Sequence, residues 1–299
     1  MIRASPLVVA VLLMATAAAL TAAQNTLIRF LGDSGMHPFE IAFFRCVFGF
    51  LTAAPLVLWP EQAWPRTRAV RPLLCSGLFH FTAMICFFTG VTMIPLNESA
   101  ALTFAGPLFA TVGAALVLGE TVRARRWIAI VVGFVGVLIV LRPGAVPISL
   151  GAGLVLFSTM SFAGVTLLVK KMSATERTAT VVFYQSLFVM VATLPLALWV
   201  WAPPTLFSLA LLATLGALCT AGWLCFTRAF ALADASAILP LEFTRLPFVA
   251  LLAYIVFGEV PDERAWIGAA VIFGSTLYIS HREHAAHRRA QIQRLTEDK

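Results

Sequence analysis

Residues 109–128 read FATVGAALVLGETVRARRWI, and residues 248–267 read FVALLAYIVFGEVPDERAWI. Set 139 residues apart, they match at Phe109 and Phe248, Gly119 and Gly258, Glu120 and Glu259, and Trp127 and Trp266. Phe104 with Phe243 and Phe134 with Phe273 extend the match at the same offset. Shared Ala, Val and Leu mean little in so apolar a chain. A Gly-Glu pair followed at fixed distance by Trp is much harder to obtain by coincidence. The chain therefore reads as an internal duplication.

Outward from these stretches the composition sets the environment. The 299 residues are 60% hydrophobic and 12% charged, with a mean hydropathy of +0.92. Soluble domains carry about 25% charged residues, so a water-soluble globular protein, a disordered chain and a nucleic-acid-binding domain are all excluded. The net charge of +7 sits in short clusters between apolar runs, a pattern of membrane topology rather than of nucleic-acid contact. A helix needs about 20 apolar residues to cross a bilayer core. Spans are expected at Pro6–Leu27, Phe39–Trp59, Leu73–Ile94, Ala100–Leu118, Trp127–Leu141, Leu150–Val169, Ala179–Trp199, Leu206–Phe226, Ala235–Phe257 and Ala265–Ser280. The runs lack the alternation of a barrel strand, so the spans are helices. Cys46, Cys75, Cys86, Cys219 and Cys225 all lie in apolar runs with no CxxC pair, which makes them free thiols rather than a disulfide framework.

The charges fix an orientation. With the N-terminus inside, sixteen of the 21 Lys and Arg fall in inner segments, and only Arg29, Arg142 and Arg264 fall in outer loops. Such asymmetry follows from cytoplasmic retention of basic residues. Arg3 and the small residues before Gln24 resemble a cleavable signal peptide, but the uncharged stretch from Arg3 to Arg29 exceeds a signal core and reads as a retained span. Five spans per copy is an odd number, so the second copy is upside down. The loops agree: a basic loop follows Glu120 and an acidic one, Pro261, Asp262 and Glu263, follows Glu259. The fold expected is an all-α membrane protein with ten transmembrane helices as two inverted five-helix repeats, residues 1–141 and 142–281, before a basic cytoplasmic tail, 282–299. Inverted repeats are the architecture of secondary transporters, which hold cargo near the bilayer midplane between the halves.

At this point the sequence resembles the drug/metabolite transporter superfamily, and within it the EamA-type carriers. The resemblance rests on the Gly-Glu pairs closing spans 4 and 9, the Trp-led helix after each, and the segments ALADASAILPLEFTRLPF and YIVFGEVPD of the second half. It implies a bacterial inner-membrane carrier of a small molecule, places Arg45 at a position where an arginine is common, and points to a subgroup that includes carriers of S-adenosylmethionine and riboflavin.

Ionisable residues at lipid depth are costly and mark candidate sites. Glu242 and Arg245 stand on neighbouring turns of span 9, flanked by Pro240 and Pro247, which remove backbone hydrogen bonds. Arg45 has no carboxylate on its own helical face, since Glu40 is five residues back; a guanidinium there can grip a carboxylate or phosphate, or pair with Glu98, Glu242 or a carbonyl for packing alone. His80, deep in span 3, is a proton-exchange candidate or simply a hydrogen-bonded polar residue. Glu98, just after Pro95 and Asn97, stands at the outer mouth or, as the preferred reading, is a solvated loop residue. Gln24, Asn25, Tyr184, Gln185 and Trp223 are polar or amphipathic groups within reach of a midplane cavity. Glu120 and Glu259 close helices at opposite faces and read as caps or gates. Gly106, Ala110 and Ala114 read as a packing stripe. His281, His284 and His287 lie among arginines, so a basic surface tail outweighs a metal site.

No GxxxxGK[ST] loop, HExxH or convergent His/Asp/Cys cluster occurs in the sequence, which argues against an ATP-driven pump or a membrane enzyme and leaves no cofactor or metal expected. The expectation is a secondary transporter for a zwitterionic or amphipathic, amino-acid-derived metabolite, export favoured. The alternatives are an uptake carrier for riboflavin or S-adenosylmethionine and a non-transport membrane enzyme or structural protein. The partners expected are the small molecule and the lipid bilayer, with no nucleic acid; a homodimer is compatible with this reading.

Overall fold

A computed structural model describes residues 6–57, 70–117, 124–141, 149–172, 178–232, 241, 244–260, 262–275 and 278. The helices are α1 (Pro6–Asp33), α2 (Pro38–Val57), α3 (Val70–Val91), α4 (Leu96–Thr103), α5 (Gly106–Val117), α6 (Ala124–Leu141), α7 (Leu150–Met172), α8 (Thr178–Trp199), α9 (Leu206–Leu232) and α10 (Arg245–Phe257), followed by a helical run over 263–275, α11. The described residues contain no strand. Among the described residues, five helical segments are long and apolar enough to cross a membrane: Val8–Asp33, Val70–Val91, Leu96–Leu116, Leu150–Val169 and Leu206–Phe226. Trp127–Leu141, Tyr184–Trp199 and Arg245–Phe257 are shorter apolar helices. Large apolar side chains such as Leu116, Ile128, Trp199, Leu206 and Phe207 stay exposed on the outside of the bundle, as a lipid-facing surface requires.

Two departures from the expected spans matter for function. First, α1 continues past Leu27 to Asp33, which carries Arg29 on a helix instead of in a loop; Arg29 and Asp33 pair at 3.6 Å across one turn, a spacing that supports a helix end. Second, the fourth span begins at Leu96 and is broken into α4 and α5. A continuous helix would need the Pro107 N–H to donate to the Thr103 carbonyl, and proline has none. The chain tightens instead, with Phe104 N donating to Ala101 O at 3.2 Å and Ala105 N to Leu102 O at 3.1 Å, before Gly106 and Pro107 start α5.

The core joins both halves of the chain. One buried cluster combines Ile28, Leu31, Ile41, Phe88 and Leu96 with Leu212, Leu215 and Val249; a second combines Leu102, Leu108, Ile130 and Val137 with Val155, Ala269 and Ile272. Close approach is set by glycines, as usual where apolar lipid supplies no drive for helices to associate. A Cβ on Gly136 would stand 2.9 Å from Gly268 O, and one on Gly268 would stand 2.7 Å from Gly136 O; α6 and α11 thus touch backbone to backbone. Gly106, from the expected packing stripe, faces Thr159 of α7.

Candidate functional site

Arg45 lies on α2, about two turns from its start, and its fork points between α3 and α9. Its Nη1 donates to Met84 Sδ at 3.2 Å and its Nη2 to Cys219 Sγ at 3.0 Å, while its Cζ stands 5.7 Å from the Phe88 ring centroid. Cys46 Sγ adds a contact to Met84 Sδ at 3.7 Å. Among the described residues no carboxylate reaches Arg45. Thioether and thiol sulfur are weak acceptors, so a guanidinium at this depth, compensated only by sulfur and a ring face, is poised for an anion. Gln24 belongs to the same neighbourhood: its Nε2 donates to Leu218 O at 3.5 Å, one residue from Cys219, and it lies 3.5 Å from the Cβ position of Gly222. Asn25, next on α1, is buried.

A polar group on α3 and α8 flanks this centre. Gln185 is 8% exposed, and its Nε2 donates to Ser76 Oγ at 2.7 Å. The His80 ring packs edge-on against Phe162 with centroids 6.0 Å apart. Its Nδ1 is buried without a hydrogen-bond partner among the described residues, so this ring nitrogen can meet a polar group of a bound molecule.

Arg245 opens α10 and reaches the break between α4 and α5. Its Nη2 donates to Thr103 Oγ1 at 2.8 Å, and its guanidinium covers the Phe104 ring at 4.6 Å. Thr103 Oγ1 in turn donates to Ala100 O at 2.7 Å. Broken helices at lipid depth are tolerated where they line a cavity or are held by protein, and here Arg245 holds one. Replacing Arg245 with Gln is expected to lower transport about tenfold, from loss of a charged hydrogen bond worth about 1.5–3 kcal/mol, and Thr103→Val is expected to do the same. Initial rates in reconstituted vesicles test this pair; additive losses in the double variant would contradict a shared contact.

The remaining candidates scatter. Glu98 is half-buried in the first turn of α4. Tyr184 packs on the cluster of Leu73, Met172 and Val181. Trp223 is 54% exposed and stacks on Phe226 at 5.7 Å, one helical turn after Cys219 on α9. Glu242 lies outside the described residues, as do Glu120, His281, His284 and His287. The candidate site is thus drawn from Gln24, Arg45, His80 and Gln185, with Arg245 at the helix break.

Several polar contacts have no signal in the sequence. Met84, Cys219 and Ser76 look like ordinary apolar-run residues until packing places them. Glu40 is 2% exposed and its Oε1 accepts from Ala202 N at 2.6 Å, tying the start of α2 to the link between α8 and α9. Glu259 Oε1 pairs with Arg29 Nη2 at 2.9 Å, and its Oε2 accepts from Leu96 N at 3.0 Å. Only the Gly-Glu repeat hinted that Glu259 had a duty.

Comparison with known proteins agrees with this architecture. The EamA-like transporter family matches the chain twice, at residues 8–142 and 149–281. An S-adenosylmethionine uptake transporter of Rickettsia bellii is 31% identical over 89% of this chain and 91% of its own. A riboflavin transporter of Vibrio cholerae is 36% identical over 66% of each chain, and the pseudopaline exporter CntI of Pseudomonas aeruginosa is 30% identical over 81% of this chain and 85% of its own. A solved crystal structure superposes with a TM-score of 0.58 at 15% identity, covering 88% of this chain and 96% of the other, which shows a shared fold.

Proposed function

The chain belongs to the EamA-like transporter family, and from that premise we propose that it is a ten-span secondary carrier of two inverted repeats, residues 1–141 and 142–281, moving a small carboxylate-bearing metabolite by alternating access. It is a multi-pass membrane protein of a transporter family. The inversion is supported by Leu96, the first residue of α4, meeting Glu259, just past the end of α10. These belong to matching spans, so one span starts where its counterpart ends. The orientation follows the basic clusters, with both termini in the cytoplasm and the bilayer that of a bacterial inner membrane.

The observation that carries the substrate class is that, among the described residues, Arg45 faces Met84 Sδ, Cys219 Sγ and the Phe88 ring and no carboxylate. A carboxylate entering there replaces two weak acceptors with a bidentate, charge-assisted pair. Gln24 and Gln185 can satisfy further polar groups, and His80 Nδ1 supplies one more site. Zwitterionic, amino-acid-derived metabolites fit this set. A second reading, uptake of S-adenosylmethionine or riboflavin, is favoured by the relatives that bear those names; of the two, S-adenosylmethionine carries an amino-acid carboxylate and suits Arg45 better. A machine of two similar halves moves cargo along whichever gradient it meets, so export and uptake share one site. Its chemistry is transport rather than catalysis, with no cofactor assigned.

Vesicles reconstituted with the purified protein and preloaded with S-adenosylmethionine, riboflavin or an amino acid test the proposal. Saturable counterflow of a carboxylate-bearing compound, absent in protein-free vesicles, is the expected result. Counterflow confined to compounds without an anionic group would contradict the Arg45 assignment.

A further inference from the structure

Arg29 is a heavily engaged cation, and the site described above does not use it. Its Nη2 pairs with Glu259 Oε1 at 2.9 Å, Nη1 donates to Ile94 O, the guanidinium covers Phe257 at 5.1 Å, and Nε approaches Asp33 at 3.6 Å. Glu259 spends its other oxygen on Leu96 N at 3.0 Å. One ion pair thereby binds the end of α1, the link between α3 and α4, the first turn of α4 and the end of α10.

Local sequence builds this contact. Gly258 has φ +67, a left-handed conformation that a residue with a Cβ adopts only at a cost of about 1–2 kcal/mol. Gly258 N closes on Tyr254 O at 3.0 Å and Glu259 N on Ala253 O at 3.1 Å, ending α10 and turning the Glu259 side chain toward Leu96 and Arg29. The side chains of Arg29 and Glu259 are 16% and 18% exposed. That is enough contact with water for the pair to part without the penalty of stranding a fully buried charge.

The position is what matters. The pair joins a residue of the first repeat to one of the second, at one end of helices that also carry the candidate site. Arg245 begins α10 and Glu259 stands two residues past its end, so about 20 Å separates them at 1.5 Å per residue. The Glu40 contact to Ala202 N lies at the same end, since α2 starts a few residues after α1 stops.

We propose that Arg29 and Glu259 form a latch that holds this end of the carrier shut, and that the pair must part for cargo to pass through this face. The latch rests on the alternating-access reading above. The two residues are positioning residues: they touch no cargo, and they set which face is open. Loss of the charge on either side shifts the population toward the state open at this end, because a contact made in only one of two states biases the equilibrium by its own free energy. In transport that bias slows the return step.

Thr26, on α1 three residues before Arg29 and 7% exposed, serves as reporter. A Thr26→Cys protein in vesicles is labelled with a membrane-impermeant maleimide, and the signal of the parent with its native cysteines is subtracted. Glu259→Gln keeps an oxygen for Leu96 N while removing the charge; it should raise the labelling rate about tenfold, as should Arg29→Gln, whereas Arg29→Lys should stay close to the parent rate. Labelling of Glu259→Gln at the parent rate, in protein with an unchanged melting temperature, overturns the latch. If Arg29→Gln does not fold, Glu259→Gln alone decides. Cargo movement by the parent with no change in labelling for Glu259→Gln removes the latch and leaves the carrier reading intact. Faster labelling in a protein that moves no cargo shows that the pair closes this end of the bundle but overturns its role in transport together with the carrier reading.

Discussion

Replacing Arg45 with Gln should lower counterflow roughly 100-fold while leaving the protein as stable as before or more so. Removing one partner of a desolvated charge pair costs about 2–5 kcal/mol, which spans about thirtyfold to several thousandfold in binding. The stability arm has the opposite sign because, among the described residues, the guanidinium without cargo meets only Met84 Sδ, Cys219 Sγ and the Phe88 ring. Those groups lose little when the charge goes, and the standing cost of holding a cation at lipid depth is relieved. Arg45→Lys should recover less than a tenth of the lost rate, since a point charge cannot reproduce the planar fork. Counterflow rates and thermal unfolding in detergent measure the two arms. A variant that loses stability and transport together would recast Arg45 as a packing residue.

Gly136→Leu should cost roughly 3 kcal/mol, or about 10 °C in melting temperature, and should deplete folded protein from the membrane. The obstacle is backbone: Gly268 O lies 2.9 Å from where the Cβ would sit, and Ile272 N lies 3.1 Å away, so no side chain can rotate aside. Gly268→Leu should do the same, because its Cβ would meet Gly136 O at 2.7 Å. By contrast Gly153→Leu, with nothing within 4 Å of its Cβ position, should leave the melting temperature within about 2 °C on the usual range for surface changes. Fluorescence-detected thermal unfolding of the three variants separates a steric contact from a general intolerance of leucine.

The helices were legible because hydrophobic run length is a one-dimensional property, and lipid leaves helices as the route for such runs. The break into α4 and α5 was not legible, because Arg245, which holds it, arrives from 142 residues away. Arg29 read as a loop charge because a hydropathy run stops at the first cation, whereas the helix continues as long as the cation has partners. Glu259 and Phe257 supply them. Arg45 and His80 could be singled out by the cost of polar groups in lipid, but their sulfur and amide neighbours could not, since Cys219, Met84 and Gln185 carry no periodic or motif signal.

The account stands on two copies of a five-span unit facing opposite ways across one bilayer. A reporter active on a single side of the membrane, placed after Thr121 in one fusion and after Val260 in another, measures this most directly. The inverted carrier predicts the first signal from the cytoplasmic side and the second from the opposite side. Both signals from one side would contradict it.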